Sequence, residues 1–124
     1  MPESEDKRLV LAVDDHPSIL RFIQVGLEMR DIEVVTATSG KRALQIAAST
    51  KPDAIVLDIM MPDMDGFEVL KQLRQESQVP IVVISADTGT RERALQLGAN
   101  EFVPKPFNTD DLVKRIRAIV GERS

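Results

Sequence analysis

Short apolar runs alternate along this chain with stretches in which apolar residues recur every three or four positions. Residues 9–13 (Leu-Val-Leu-Ala-Val) stop at Asp14-Asp15, 55–57 (Ile-Val-Leu) stop at Asp58, and 81–84 (Ile-Val-Val-Ile) stop at Ser85. Runs that are apolar on both faces read as buried parallel strands rather than half-solvated antiparallel ones. The β-branched segment 32–36 predicts a further strand, and 101–103, the most polar of the set, predicts a strand at the sheet edge. Between them lie helical patterns. Residues 17–29 place Leu20, Ile23, Val25 and Leu27 on one side, with Pro17 tolerated in the first turn. Ser39 and Asp65 are candidate caps for two more helices, Asn108 opens the last, and Thr88 or Thr90 opens another that Gly98 ends. That helix has no apolar residue among Arg91, Glu92 and Arg93, so it is expected to be the least firmly packed.

Strict alternation of five strands and five helices predicts an α/β fold of the (βα)5 type. Its core is a doubly wound five-stranded parallel sheet with right-handed crossovers and helices on both faces. The length of 124 residues fits one domain over 1–124, with a core at about 8–121 and loose ends at 1–7 and 122–124.

Composition removes several function classes. Without cysteine there is no disulfide scaffold, thiol nucleophile or thiolate metal site, and His16, the single histidine, excludes a multi-histidine centre. A net charge of −4 with no Tyr or Trp gives neither a basic footprint nor a stacking surface for nucleic acid. The longest apolar run, 9–13, is far short of a membrane span, and the acidic N-terminus is unlike a targeting peptide, so a cytoplasmic location is expected.

Ligands of open α/β sheets bind beyond the carboxyl ends of the strands. Asp14, Asp15, Asp58 and Ser85 stand at three such ends, and Lys105 follows the last strand. Carboxylates without cysteine make a hard, oxygen-rich site suited to Mg²⁺ or Mn²⁺. Like charges so placed raise one another's pKa unless a cation intervenes. Lys105 and Ser85 add partners for phosphoryl oxygens, and one carboxylate can act as nucleophile. Taken singly each feature has a plainer reading: Asp15 as a helix cap before Pro17, residues 62–66 as a turn, Lys105-Pro106 as a helix stop.

Four motifs in this order carry a resemblance: Val13-Asp14-Asp15, then Leu57-Asp58 running to Asp65-Gly66, then Ile84-Ser85-Ala86, then Phe102-Val103-Pro104-Lys105-Pro106-Phe107. Over about residues 9–120 the chain resembles the receiver domain of two-component response regulators. The resemblance implies the flavodoxin-like strand order 2-1-3-4-5. Asp58 would be the phosphoacceptor, served by a sensor histidine kinase, a histidine phosphotransfer protein or a small phosphodonor. Asp15 would bind Mg²⁺ directly and Asp14 largely through water, with Asp58 and the Met60 carbonyl as further ligands; Ser85 and Lys105 would contact the phosphoryl group. The bond before Pro106 would be cis. Ser85 and Phe102 would form the switch, the hydroxyl drawn toward the phosphoryl oxygens and the ring turning inward beneath the fourth helix. Met60 and Asp87 occupy the positions that tune phosphoryl lifetime. The Met60 side chain cannot hold an attacking water, so a phosphoaspartate lasting minutes or more is expected. Such a protein is a switch that catalyses its own phosphorylation and dephosphorylation, not a conventional enzyme. The partner is expected to dock on the first helix, near residues 16–25, beside Asp58.

The last helix is similar to that of winged-helix transcription regulators of the OmpR/PhoB kind, which implies a homodimer through helix 4, strand 5 and helix 5. Glu92 and Asn100 depart from that subfamily's pattern. Two outputs stay open: control of a separate output domain, or a stand-alone receiver that docks or relays phosphate. A receiver that binds partners without phosphate is a third option, against which the full set Asp14, Asp15, Asp58, Ser85 and Lys105 argues. An aspartyl-phosphate phosphatase of the haloacid dehalogenase type needs an acid two residues after its nucleophile, where this chain has Met60.

Overall fold

In the computed structural model, which describes residues 7–62 and 65–121, strands and helices alternate along the chain. They are β1 (Arg8–Val13), α1 (Pro17–Glu28), β2 (Ile32–Ala37), α2 (Gly40–Thr50), β3 (Ala54–Asp58), α3 (Gly66–Glu76), β4 (Ile81–Ser85), α4 (Arg91–Gln96), β5 (Glu101–Pro104) and α5 (Thr109–Val120). The five strands form one parallel sheet in the order β2-β1-β3-β4-β5, the order that the resemblance implied, with β5 at an edge.

Alternate side chains of each strand feed two cores, because successive residues of a strand point to opposite faces. Leu11, Val13, Ile55, Leu57 and Val83 pack with α2, α3 and α4. Val10, Ala12, Val56, Val82 and Ile84 pack with α1 and α5. The middle strands are therefore apolar throughout, as a sheet covered on both sides requires.

Local chemistry sets the helix starts. Ser39 Oγ accepts from the Arg42 N–H, Asp65 Oδ1 from the Phe67 N–H, and Asn108 Oδ1 from the Asp111 N–H. The fourth helix opens at Thr90, its N-cap, whose side chain makes no capping bond; ahead of it Asp87 accepts from the Gly89 N–H and opens a 3₁₀ turn, Thr88–Thr90, so the α-helix runs from Arg91. Two expectations, on Val25 and Asp15, need correction. Val25 does not share the inner face of α1; the 3.6-residue period aligns Leu20, Ile23 and Leu27, leaving Val25 exposed. Asp15 does not cap α1 either. The cap is His16, whose side chain makes no capping bond, and Asp14 accepts the His16 backbone N–H. Residues 1–6 and 122–124, expected as loose ends, and Asp63 and Met64 of the 62–66 turn lie outside the described residues. No helix among the described residues is long and apolar enough to cross a membrane.

Candidate functional site

β1 and β3 are neighbours with Val13 opposite Leu57. The next residue on each chain, Asp14 and Asp58, therefore emerges at the same place on the carboxyl edge of the sheet. On the other side β3 pairs with β4, Asp58 opposite Ile84, so Ser85 lies one step beyond. β5 ends opposite Ser85, and the Lys105 N–H donates to the Ser85 carbonyl at 2.9 Å. Parallel pairing thus gathers residues spread over ninety positions at one edge. The Lys105–Pro106 peptide that follows is cis.

Asp14 and Asp58 are buried. Lys105 Nζ bridges them, 3.0 Å from Asp14 Oδ2 and 3.3 Å from Asp58 Oδ2. Asp58 Oδ1 accepts the Met60 backbone N–H at 3.0 Å. Burial pushes the Asp58 carboxyl above the usual carboxylate range; the Met60 N–H opposes this, Asp14 adds to it, and Lys105 opposes it. Burial acts to lower the Lys105 ammonium, but its bonds and attraction to Asp14 and Asp58 together hold it above its ordinary value.

Asp14, Asp15, Asp58 and His16 each bring one donor atom to within 4.8 Å of the others. Asp15 Oδ1 is buried and has no hydrogen-bond partner; His16 Nδ1 lies 3.2 Å away, out of hydrogen-bonding alignment. Three carboxylates, one with an unpartnered oxygen turned from solvent, fit a dication, which would relieve both the repulsion and the orphaned atom.

The other candidate residues are placed as follows. Ser85 is buried, and its hydroxyl is engaged away from Asp58: Oγ accepts the Asp87 N–H at 3.0 Å and Thr90 Oγ1 lies 3.4 Å from it. Asp87 is exposed and caps the 3₁₀ turn. The Met60 side chain is 55% exposed beside Asp58. Phe102 is buried in the core with Val83, Ala94 and Ala99. Its ring is already inside, whereas the Ser85 hydroxyl is held by the loop.

Sequence reasoning passed over two features here. One is His16, set aside because a lone histidine makes no cluster, although its neighbours on the chain supply one. The other is an outward stripe on α1, where Phe22, Val25 and Met29 are exposed and Phe22 packs against Phe107 at 5.9 Å between ring centroids. Spacing by three, four and seven residues was the signal for it.

Comparisons with known proteins bear on this geometry. The family model described as the response regulator receiver domain matches residues 10–117. The transcriptional regulatory protein KdpE of Mycobacterium tuberculosis is 43% identical over 114 residues, which are 90% of this chain and 50% of that protein. The chain spans about half the length of the curated relatives it matches. Among solved structures, the Francisella response regulator 1452 receiver domain superposes with a TM-score of 0.86 at 34% identity, covering 92% of this chain and 97% of that one. The BeF3-activated N-terminal receiver domain of Klebsiella pneumoniae RstA gives 0.86 at 30% identity, covering 92% and 99%.

Proposed function

Because the chain belongs to the response regulator receiver domain family of two-component signalling, we propose that Asp58 is its phosphoacceptor, fed by a histidine kinase or histidine phosphotransfer protein, with Mg²⁺ as cofactor. The observation that carries this reading is the Lys105 ammonium bridging two buried carboxylates at one strand edge, with the unpartnered Asp15 oxygen beside them. Asp14, Asp15, Asp58 and the Met60 carbonyl would hold the ion, which supplies charge neutralisation for the incoming phosphoryl oxygens.

The chain's own residues do the rest. An Asp58 carboxylate oxygen bonds to phosphorus as the donor's phosphorus–nitrogen bond breaks; the electron pair leaves with the imidazole nitrogen, which takes up a proton. Lys105 moves its charge from the carboxylates to a phosphoryl oxygen. The Ser85 hydroxyl leaves the Asp87 loop to donate to another, drawing the segment before α4 with it. The ring of Phe102 is already inside and stays as the surface against which α4 shifts, a helix anchored by the single buried residue Ala94 and therefore easily moved. Phosphorylation thereby biases two arrangements of the face made by α4, β5 and α5. That face controls an output domain or a second copy of the chain. Arg115, which pairs with Glu101 at 2.8 Å and Asp111 at 3.1 Å, stands on it. The domain works in the cytoplasm and does not itself bind nucleic acid.

Acetyl phosphate with Mg²⁺ is expected to add one phosphoryl group by intact mass, and chelation by EDTA to prevent it. Native mass on the same samples reports pairing. Failure to gain the group, together with no binding of beryllofluoride, would overturn the proposal. A second expectation concerns docking. The apolar stripe on α1 beside the site suits a helical partner. Val25→Glu is expected to slow phosphotransfer from a donor kinase at least about tenfold, while acetyl phosphate labels the variant at the wild-type rate. Equal kinase rates would exclude the stripe from docking.

A further inference from the structure

His16 is not used by the mechanism above, and its position asks for a role. As the cap of α1 it has extended backbone angles and makes no side-chain bond to the helix, so the ring is not spent on capping. Its Nδ1 sits 3.0 Å from Asp14 Oδ1 and 3.2 Å from Asp15 Oδ1. The Asp14 oxygen already accepts the His16 backbone N–H at 2.9 Å, while the Asp15 oxygen is buried and unpartnered. A proton on Nδ1 satisfies only one of these two oxygens, whereas a cation among the three atoms satisfies all of them.

We propose that His16 Nδ1 is a nitrogen ligand, making this centre a mixed nitrogen–oxygen site that prefers a first-row transition dication over Mg²⁺. The inference rests on the reading that Asp14, Asp15 and Asp58 hold a dication. The distances allow it: donors on one octahedral ion with bonds of about 2.1 Å are about 3 Å apart when adjacent and about 4.2 Å when opposite. Asp14, Asp15, His16 and Asp58 each have a donor atom within 4.8 Å of the others, a cluster slightly wider than one ion's shell, so the side chains must draw together on binding. The two shortest separations from Nδ1 already match adjacent positions, and a side chain 61% exposed is free to make the remaining adjustment. Bound through Nδ1, the ring carries its proton on Nε2. The preference follows from ligand type. Carboxylate and water suit Mg²⁺ and Mn²⁺ alike, whereas imidazole adds affinity that grows from Mn²⁺ toward Ni²⁺. The site would still accept Mg²⁺ through its oxygens.

The test uses tag-free protein with Mn²⁺, Ni²⁺ and Mg²⁺ as probes. Pulsed electron paramagnetic resonance of bound Mn²⁺ is expected to show the nitrogen couplings of a coordinated imidazole. The chain has no other histidine, so such a signal belongs to His16. His16→Asn is expected to erase the couplings and weaken Ni²⁺ binding at least about tenfold in calorimetry, with a much smaller change for Mg²⁺. Asp15→Asn is also expected to weaken Ni²⁺, which places the ion between the two. Absent nitrogen couplings and unchanged Ni²⁺ affinity in His16→Asn, with Mg²⁺ still bound, would overturn this inference and leave the phosphoacceptor reading standing. Binding of no dication would overturn the reading beneath it.

Discussion

Asp58→Asn is expected to abolish the phosphoryl adduct and, in metal-free buffer at neutral pH, to make the protein more stable. The first effect follows from chemistry, since an amide is no nucleophile toward phosphorus at neutral pH. The second follows from the environment. Burial raises the Asp58 carboxyl, Asp14 raises it further, and the Met60 N–H and Lys105 compensate only in part. An acid whose pKa is higher folded than unfolded binds its proton more tightly in the folded state. Its stabilising effect is complete below the unfolded pKa and is lost as pH rises through the folded one. The wild type should therefore lose ground to the variant on going from acid to neutral pH. Urea unfolding of both proteins in EDTA, from about pH 4 to about pH 8, checks this across the ordinary carboxylate pKa and above it. A wild type as stable as the variant at neutral pH would show that Lys105 fully compensates the buried charge.

Lys105→Met is expected to have the opposite effect on stability. It leaves Asp14 and Asp58, both buried, facing each other without a cation. Removing one partner of a buried ionic group costs about 3 kcal/mol. Mg²⁺ should restore much of this by binding the folded state alone, so the variant's thermal midpoint should rise more steeply with Mg²⁺ than the wild type's. Labelling by acetyl phosphate should also slow by about a hundredfold, the size of effect seen when one preorganised charge or donor at a reaction centre is removed. Calorimetry at several Mg²⁺ concentrations and timed mass spectra measure the two effects. Unchanged stability without metal would mean that the two carboxylates share a proton rather than the lysine's charge.

These expectations depend on an arrangement that was largely legible in the sequence, for a specific reason. A buried parallel strand must be apolar on both faces, so Asp14, Asp58 and Ser85 stood out as the places where each strand leaves the core. Their meeting at one edge then followed from topology alone. Asn108 and Ser39 were equally legible, because capping is local chemistry.

What was missed depended on choices that a linear pattern does not record. Thr90 is the cap of α4, but the 3₁₀ turn that Asp87 opens over Thr88–Thr90 just before it gave no signal. Val25 was grouped with Leu27 by proximity, although their side chains leave the helix in different directions. Arg74 gave no signal: its guanidinium reaches the carbonyls of Gly98 and Val79 and the Asn100 side chain, tying the end of α3 to the starts of β4 and β5. Asn100, noted in the sequence only as a departure from a subfamily pattern, also accepts the Ile81 N–H that opens β4. His16 was set aside by counting histidines, whereas its chemistry comes from Asp14 and Asp15, the two carboxylates just before it in the chain.

The most direct measurement is the position of the phosphoryl group. After labelling with acetyl phosphate and Mg²⁺, borohydride reduction converts an aspartyl phosphate to homoserine, and peptide mass spectrometry locates the change. The account predicts homoserine at position 58 and at no other carboxylate. Homoserine at Asp14 or Asp15, or labelling that persists in Asp58→Asn, would contradict it.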